Sequence, residues 1–352
     1  MAGGALQILG LGACTPVGRN VLASAAAVRA GVCGFGSHPY MIDTAGEPMR
    51  IARAPWLDIE LTGAERLAEL LLPAMEEALA QWPDEVPMRL GLALALPPPR
   101  PGRPQQLADG LLAYVAEALP GRFVHAARFE AGHAAGHLAM AAAQAGCARA
   151  DFDACLVAGV DSYIADETLD WVEACDQLHG GGPLNNAWGF VPGEAAGAVL
   201  MGTAGLAQRG GIAPLGELVA VGIGQESKRI KTGEVCIGEG LTQAFRAALQ
   251  TLAPGDQIHN VFCDLNGELY RADEYGFAAL RTGDQFRSAT DFVAPADCWG
   301  DVGASSAPLF AALAVLCHRK HYGQGPLSLV WASAESGERG AAVIRALDAR
   351  EG

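Results

Sequence analysis

Glu130-Ala-Gly-His133-Ala-Ala-Gly136-His-Leu-Ala-Met-Ala-Ala-Ala143 is the stretch from which the fold of this chain is read. Its glycines permit a tight turn, and the small residues that follow predict a helix able to lie close against a neighbour. Just upstream, residues 123–127 read as a strand. Downstream, Ala154-Cys-Leu-Val-Ala158 is a short apolar strand ending in Gly159-Val-Asp161. Strand, glycine turn, helix and strand together predict a βαβ unit, the building block of layered α/β folds.

The alternation continues outward from this unit. Residues 6–11 read as a strand and 20–30 as a helix. Residues 61–81 give the clearest helix, with Thr62 as N-cap and Leu67, Leu70, Leu71, Met75 and Leu79 as its apolar stripe. A strand over 89–96 is stopped by Pro97-Pro98-Pro99, which cannot extend a hydrogen-bonded ladder. A helix over 105–119 and a strand over 195–202 complete this half. The glycine-rich stretch 204–214 reads as a boundary, after which a similar order restarts. Strands fall at 215–221, 260–265, 327–332 and 341–344, and helices at 242–252, 270–281 and 303–317. Strands separated by helices predict mostly parallel sheets covered on both faces. The expected units are 1–205 and 206–352.

Composition narrows the function. With 352 residues, 51% of them apolar and 18% charged, the chain can bury a large core. No apolar run reaches membrane-spanning length, and the first residues lack the basic start of a secretory signal, so a cytoplasmic protein is expected. Nine cysteines without Cys-x-x-Cys or His-x-x-x-His spacing read as reduced thiols, with no metal or cofactor implied. A net charge of −15 argues against nucleic acid. Lys228-Arg229-Ile-Lys231 and His318-Arg319-Lys320-His321 are the basic clusters, read as solvated charge before docking patches.

The Gly132–Gly136 turn resembles the second motif of the β-ketoacyl synthases, the condensing enzymes of the thiolase superfamily. So do Leu9-Gly-Leu-Gly12-Ala-Cys-Thr15-Pro16-Val-Gly18 and Gly189-Phe-Val-Pro-Gly193-Glu-Ala-Ala-Gly197. The resemblance covers nearly the whole chain. It implies a five-layer αβαβα thiolase-like fold made of two βαβαβαββ halves. In that family the turn opens with a nucleophilic cysteine in a Cys-x-x-Gly pattern, and here His133 stands in its place.

The other catalytic positions have changed as well. By resemblance, Asn266 in Asn266-Gly267-Glu268 falls on one enolate-stabilising histidine, and Gly300 in Cys298-Trp-Gly300-Asp-Val-Gly303 falls on the other. The family lysine falls near Pro295. The gating glycine turn is replaced by Ala334-Glu335-Ser336-Gly337. The relict pocket positions are thus His133, Asn266, Glu268, Gly300, Asp301 and Glu335. A helix start would favour a neutral His133 ring. Asp264, Asn266, Glu268, Arg271 and Asp301 read as a salt-bridge network, with Arg271 against a carboxylate, ahead of an acid–base pair or a metal site. By resemblance Cys14 lies in a loop that packs near the pocket without being the nucleophile, and Cys298 starts a helix turn whose dipole its thiol could feel.

The resulting expectation is a catalytically inactive protein serving as an interaction or adaptor subunit. Its partner would be a protein, in a homodimer or heterodimer, within a polyketide, fatty-acid or type VI secretion system. An active acyltransferase with a relocated site, or a module binding an acyl-thioester ligand, is the alternative.

Overall fold

The computed structural model describes residues 4–230 and 232–348. The first half runs β1 (Leu6–Cys14), α1 (Val21–Ala30), β2 (Gly36–Ile42), β3 (Pro48–Ile51), α2 (Gly63–Leu79) and β4 (Leu90–Ala95). It continues through α3 (Leu107–Ala118), β5 (His125–Phe129), α4 (Ala135–Ala148), β6 (Ala154–Ser162), α5 (Asp166–Ala174) and β7 (Glu194–Gly202). After α6 (Ala204–Gly210) come β8 (Gly216–Gln225), α7 (Glu239–Leu249), β9 (Asn260–Cys263), α8 (Leu269–Thr282) and β10 (Phe292–Val293). Then α9 (Ala296–Trp299), α10 (Ser306–Arg319), β11 (Leu327–Ser333) and β12 (Glu338–Ala346) follow.

Ten strands form one hydrogen-bonded sheet in the order β10-β9-β11-β12-β8-β1-β7-β6-β4-β5. Counted within its own half, each set reads third, second, fourth, fifth, first from the outer edge inward. The halves meet where β1 pairs antiparallel with β8, Leu6 opposite Leu218. The sheet is mixed rather than mostly parallel. Only the β4 and β9 pairings are parallel, while β7 and β12 return antiparallel beside β6 and β11. β11 and β12 are joined by a short turn and not by a crossover helix, which forces them antiparallel.

Three apolar cores define five layers. One lies between α2, α3 and the first half-sheet, and a second between α7, α8 and the other half-sheet. The third, around α4 and α10, fills the space between the two half-sheets. Glycines set these spacings. A Cβ on Gly10 or Gly12 of β1 would sit 1.9 Å from a carbonyl oxygen of α2. One on Gly222 or Gly224 of β8 would sit 2.0 Å from a carbonyl oxygen of α7. In both halves a helix therefore rests directly on strand backbone. At the centre, a Cβ on Gly136 would come within 2.7 Å of Ala307 Cβ, where α4 crosses α10.

The helix that the Leu67 to Leu79 stripe predicted is α2, with Thr62 at its N-cap, although the Thr62 hydroxyl makes no capping bond. The β2–β3 hairpin and α5 carried no clear apolar period and were not expected. The 204–214 stretch contains α6, whose N-cap hydroxyl on Thr203 accepts from Leu206 N.

Candidate functional site

Both central helices begin in the same way. Residues Gly132–Ala134 form a 3-10 turn ahead of α4, and Gly303–Ser305 form one ahead of α10. Gly132 (φ 54°) and Gly303 (φ 46°) both take the left-handed backbone that favours glycine. The two turns meet at the seam between the halves. His133 comes from one and Asp301 from just before the other.

His133 is 5% exposed, and its Nε2 lies 2.8 and 2.9 Å from the two Asp301 carboxylate oxygens. A carboxylate can only accept, so Nε2–H is the donor. Asp301 Oδ1 also accepts from Gly303 N (2.9 Å), and Oδ2 from Asn266 Nδ2 (2.6 Å). The same amide reaches Glu268 Oε2 at 3.1 Å. Arg271 is wholly buried. It donates from Nε to Glu268 Oε2 (3.1 Å), and from Nη1 to Asp264 Oδ2 (2.7 Å) and to the Ser333 carbonyl (2.8 Å). Its Nη2 lies 3.4 Å from His133 Nε2. Gln177 Nε2 contacts both Glu268 Oε1 (2.8 Å) and Glu335 Oε1 (2.6 Å).

The structure thus brings His133, Asn266, Glu268 and Asp301 into one network, with Glu335 joined through Gln177. Gly300 contributes no side chain. A Cβ there would lie 2.7 Å from the Val191 carbonyl, so its bareness lets the turn press against residues 191–193 and swings Asp301 inward. The group facing His133 therefore comes from the residue after Gly300. Gln177 carried no signal in the sequence, since it follows α5 in a loop with no motif around it. Nor did Arg100. It pairs with Asp161 (2.6 Å), whose Oδ2 accepts from Ala304 N (3.0 Å) and so fastens the second turn.

Charge around His133 decides its protonation. Burial is the largest influence and pushes the imidazole down, and Arg271 adds to that, but the charge and hydrogen bond of Asp301 together with the Asp264 charge hold its pKa above the ordinary value. The neutral ring expected from a helix start is corrected on this point: a carboxylate in contact exceeds the field of one helix turn. Burial opposes ionisation of Asp301 too. His133, Arg271 and the Asn266 amide nevertheless hold its carboxyl well below the usual carboxylate range.

Little room remains beside this pair. The cavity bounded by His133, Cys263, Trp299, Val302 and Phe310 measures about 10 Å³, the lower limit for a single water. Cys263, the thiol that lines this cavity, is a poor nucleophile because burial raises its pKa. Cys14 packs instead in the core beneath α2, where burial pushes it up to about 12, and burial raises Cys298 as well.

A chain of the AntDE:AntF complex, a type II polyketide synthase acyl-carrier protein with its ketosynthase bound to the hexaketide, superposes with a TM-score of 0.79. The identity is 16%, over 98% of this chain and 100% of that one. The fold is that of the ketosynthases. The ketosynthase from module 6 of the bacillaene synthase of Bacillus subtilis 168 gives 0.78 at 16% identity, over 97% of this chain and 72% of that one. The ishigamide ketosynthase/chain length factor gives 0.67 at 20% identity, over 98% and 100%. No protein-family model matches the chain, and no curated protein sequence does. The thiolase-like five-layer architecture expected from the turn motifs is the one observed. Among the described residues no helix is long and apolar enough to cross a membrane.

The basic clusters are partly tied down. His318 Nε2 lies 2.9 Å from Asp348, and Arg319 donates to the Leu347 carbonyl. Arg229 is exposed and donates to the Ser336 carbonyl, while Lys231 lies outside the described residues.

Proposed function

We propose that this chain is a ketosynthase-fold protein that performs no condensation and acts by pairing with a protein partner. The observation that carries this reading is the His133–Asp301 pair set in a cavity of about 10 Å³. Condensation requires a thiolate to carry the acyl group and donors left free for the enolate. Here Nε2 of His133 is committed to a carboxylate, the Asn266 amide is spent on two carboxylates, and an acyl chain has no space to enter.

The pairing surface in this reading is the outer edge of the sheet at β5. Val124, His125, Ala126 and Arg128 are exposed there, beside a cavity of about 560 Å³ lined by Val124, Ala127, Ala142 and Phe152. An open strand edge is a template for another strand. A second copy or a cysteine-bearing ketosynthase chain would extend the sheet. The polyketide and ketosynthase/chain length factor structures that share the fold make such an assembly line the favoured setting.

The test is intact-mass analysis after incubation with acetyl-, octanoyl- and malonyl-coenzyme A, alongside release of carbon dioxide from the malonyl donor. Unchanged mass and background release are expected. A stable acyl adduct would overturn the reading.

A further inference from the structure

The structure assigns a second polar centre, made by Glu226, Cys236 and Glu274, as a binding site for one zinc-class divalent cation. Among the described residues these three form the one group of metal-ligating side chains whose ligand atoms all lie within 4.8 Å of one another. They come from separate elements. Glu226 directly follows β8, Glu274 lies on α8, and Cys236 sits two residues before the α7 cap at Gly238. Because they are ten and then thirty-eight residues apart, no short motif marks them.

Two observations distinguish the group from a chance acidic cluster. First, both carboxylates are buried, Glu226 at 1% and Glu274 at 0% exposure, where a charge must be compensated. Arg339 pairs with one of them, its Nε donating to Glu274 Oε1 at 2.6 Å. Two carboxylates against one guanidinium leave one negative charge over. Second, the enclosed Glu274 Oε2 makes no hydrogen bond of good geometry, its neighbour being the Ser333 hydroxyl.

The ligand chemistry selects the ion. Glu226 is held in place by Lys228 N on Oε1 (3.1 Å) and Gly240 N on Oε2 (2.9 Å), which leaves each oxygen a further lone pair. One sulfur and two carboxylate ligands suit zinc rather than magnesium or calcium, with the fourth position left to water. On binding, the Cys236 thiol releases its proton to solvent and its sulfur bonds the ion. Two carboxylates, a thiolate, Arg339 and a divalent cation then sum to zero charge. Burial pushes the free thiol up to about 11, so in the ion's absence the sulfur stays protonated. The ion would clamp the loop after β8 onto α8 and, through Arg339, onto the Ala334 carbonyl beside the His133 network.

The full-length protein, stripped with a chelator, is titrated with zinc chloride against a chromophoric chelator, and in parallel with cobalt chloride. One equivalent of zinc per chain is expected, together with a thiolate-to-cobalt charge-transfer band. C236S should lose the band and weaken zinc binding by about 100-fold or more. C33S, which removes an exposed thiol, should keep both. Thermal melting of the metal-free proteins checks that C236S still folds. Absence of a stoichiometric ion, or C236S binding zinc as tightly as the wild type, would overturn the assignment.

Discussion

Removing Arg271 is the sharpest test of the His133 network. Its guanidinium is fully enclosed and holds Asp264 at 2.7 Å, Glu268 at 3.1 Å and the Ser333 carbonyl at 2.8 Å. R271M keeps much of the volume and deletes the charge. Breaking a buried ion pair from one side costs roughly 3–5 kcal/mol, because the abandoned carboxylates remain in place. Unfolding entropy near the midpoint is about 2.1 cal/mol/K per residue, so a 352-residue chain loses ~1.4 °C for each kcal/mol. Differential scanning calorimetry at pH 7 should therefore show R271M melting about 5 °C below the wild type. The triple variant D264N/E268Q/R271M, which removes both signs of charge, should recover at least half of that. An R271M midpoint within 1 °C of the wild type would refute the reasoning. So would a triple variant no better than R271M, since the loss would then lie in packing and not in stranded charge.

Four further outcomes are expected. G303A puts a methyl group 2.0 Å from Asp161 Oδ2 at φ 46°; clash and left-handed strain together should cost roughly 2–5 kcal/mol in chemical denaturation, and a wild-type midpoint would mean that the turn does not pack as described. Because the pKa of His133 is raised in the folded state, its contribution is complete below the ordinary imidazole value and fades as pH rises through the folded value. The wild-type melting temperature should accordingly fall more steeply than that of H133N above pH 7, and parallel slopes would sink the assignment. H133C, which restores a thiol, should still take up no acyl group from octanoyl-coenzyme A, because the cavity of about 10 Å³ excludes the chain; a mass increase of one acyl group would show the pocket to be open. V124D/A126D on the exposed β5 edge should shift sedimentation from dimer toward monomer through like-charge repulsion across the new strand pair, and a monomeric wild type at high concentration would remove that surface from consideration.

The layered architecture was legible because periodicity and glycine placement act locally. The Leu67 to Leu79 stripe and the Gly132 turn specify their elements wherever the rest of the chain goes. Strand direction was not, because a returning strand such as β12 reads like any other apolar run. The carboxylate cluster near Arg271 was legible from spacing alone, since Asp264, Glu268 and Arg271 share one strand end and one helix start. His133 and Asp301 are 168 residues apart, and their contact depends on two turns meeting across the seam. Alignment to a motif put Gly300 on the second histidine, whereas the side chain that faces His133 belongs to Asp301, the next of the pocket positions. The Glu226, Cys236 and Glu274 group was invisible for the same reason, as was Gln177.

The meeting of β1 and β8 has a consequence for biosynthesis. β1 leaves the ribosome well before its partner, because the strand that closes its far side begins at Gly216. Until then the nascent first half carries β1 with one flank unpaired, a short ladder of open amides and carbonyls next to apolar side chains. A chain stopped near residue 205 would keep that flank permanently and should collect in aggregates, whereas supplying the missing half in trans should bring it back into solution.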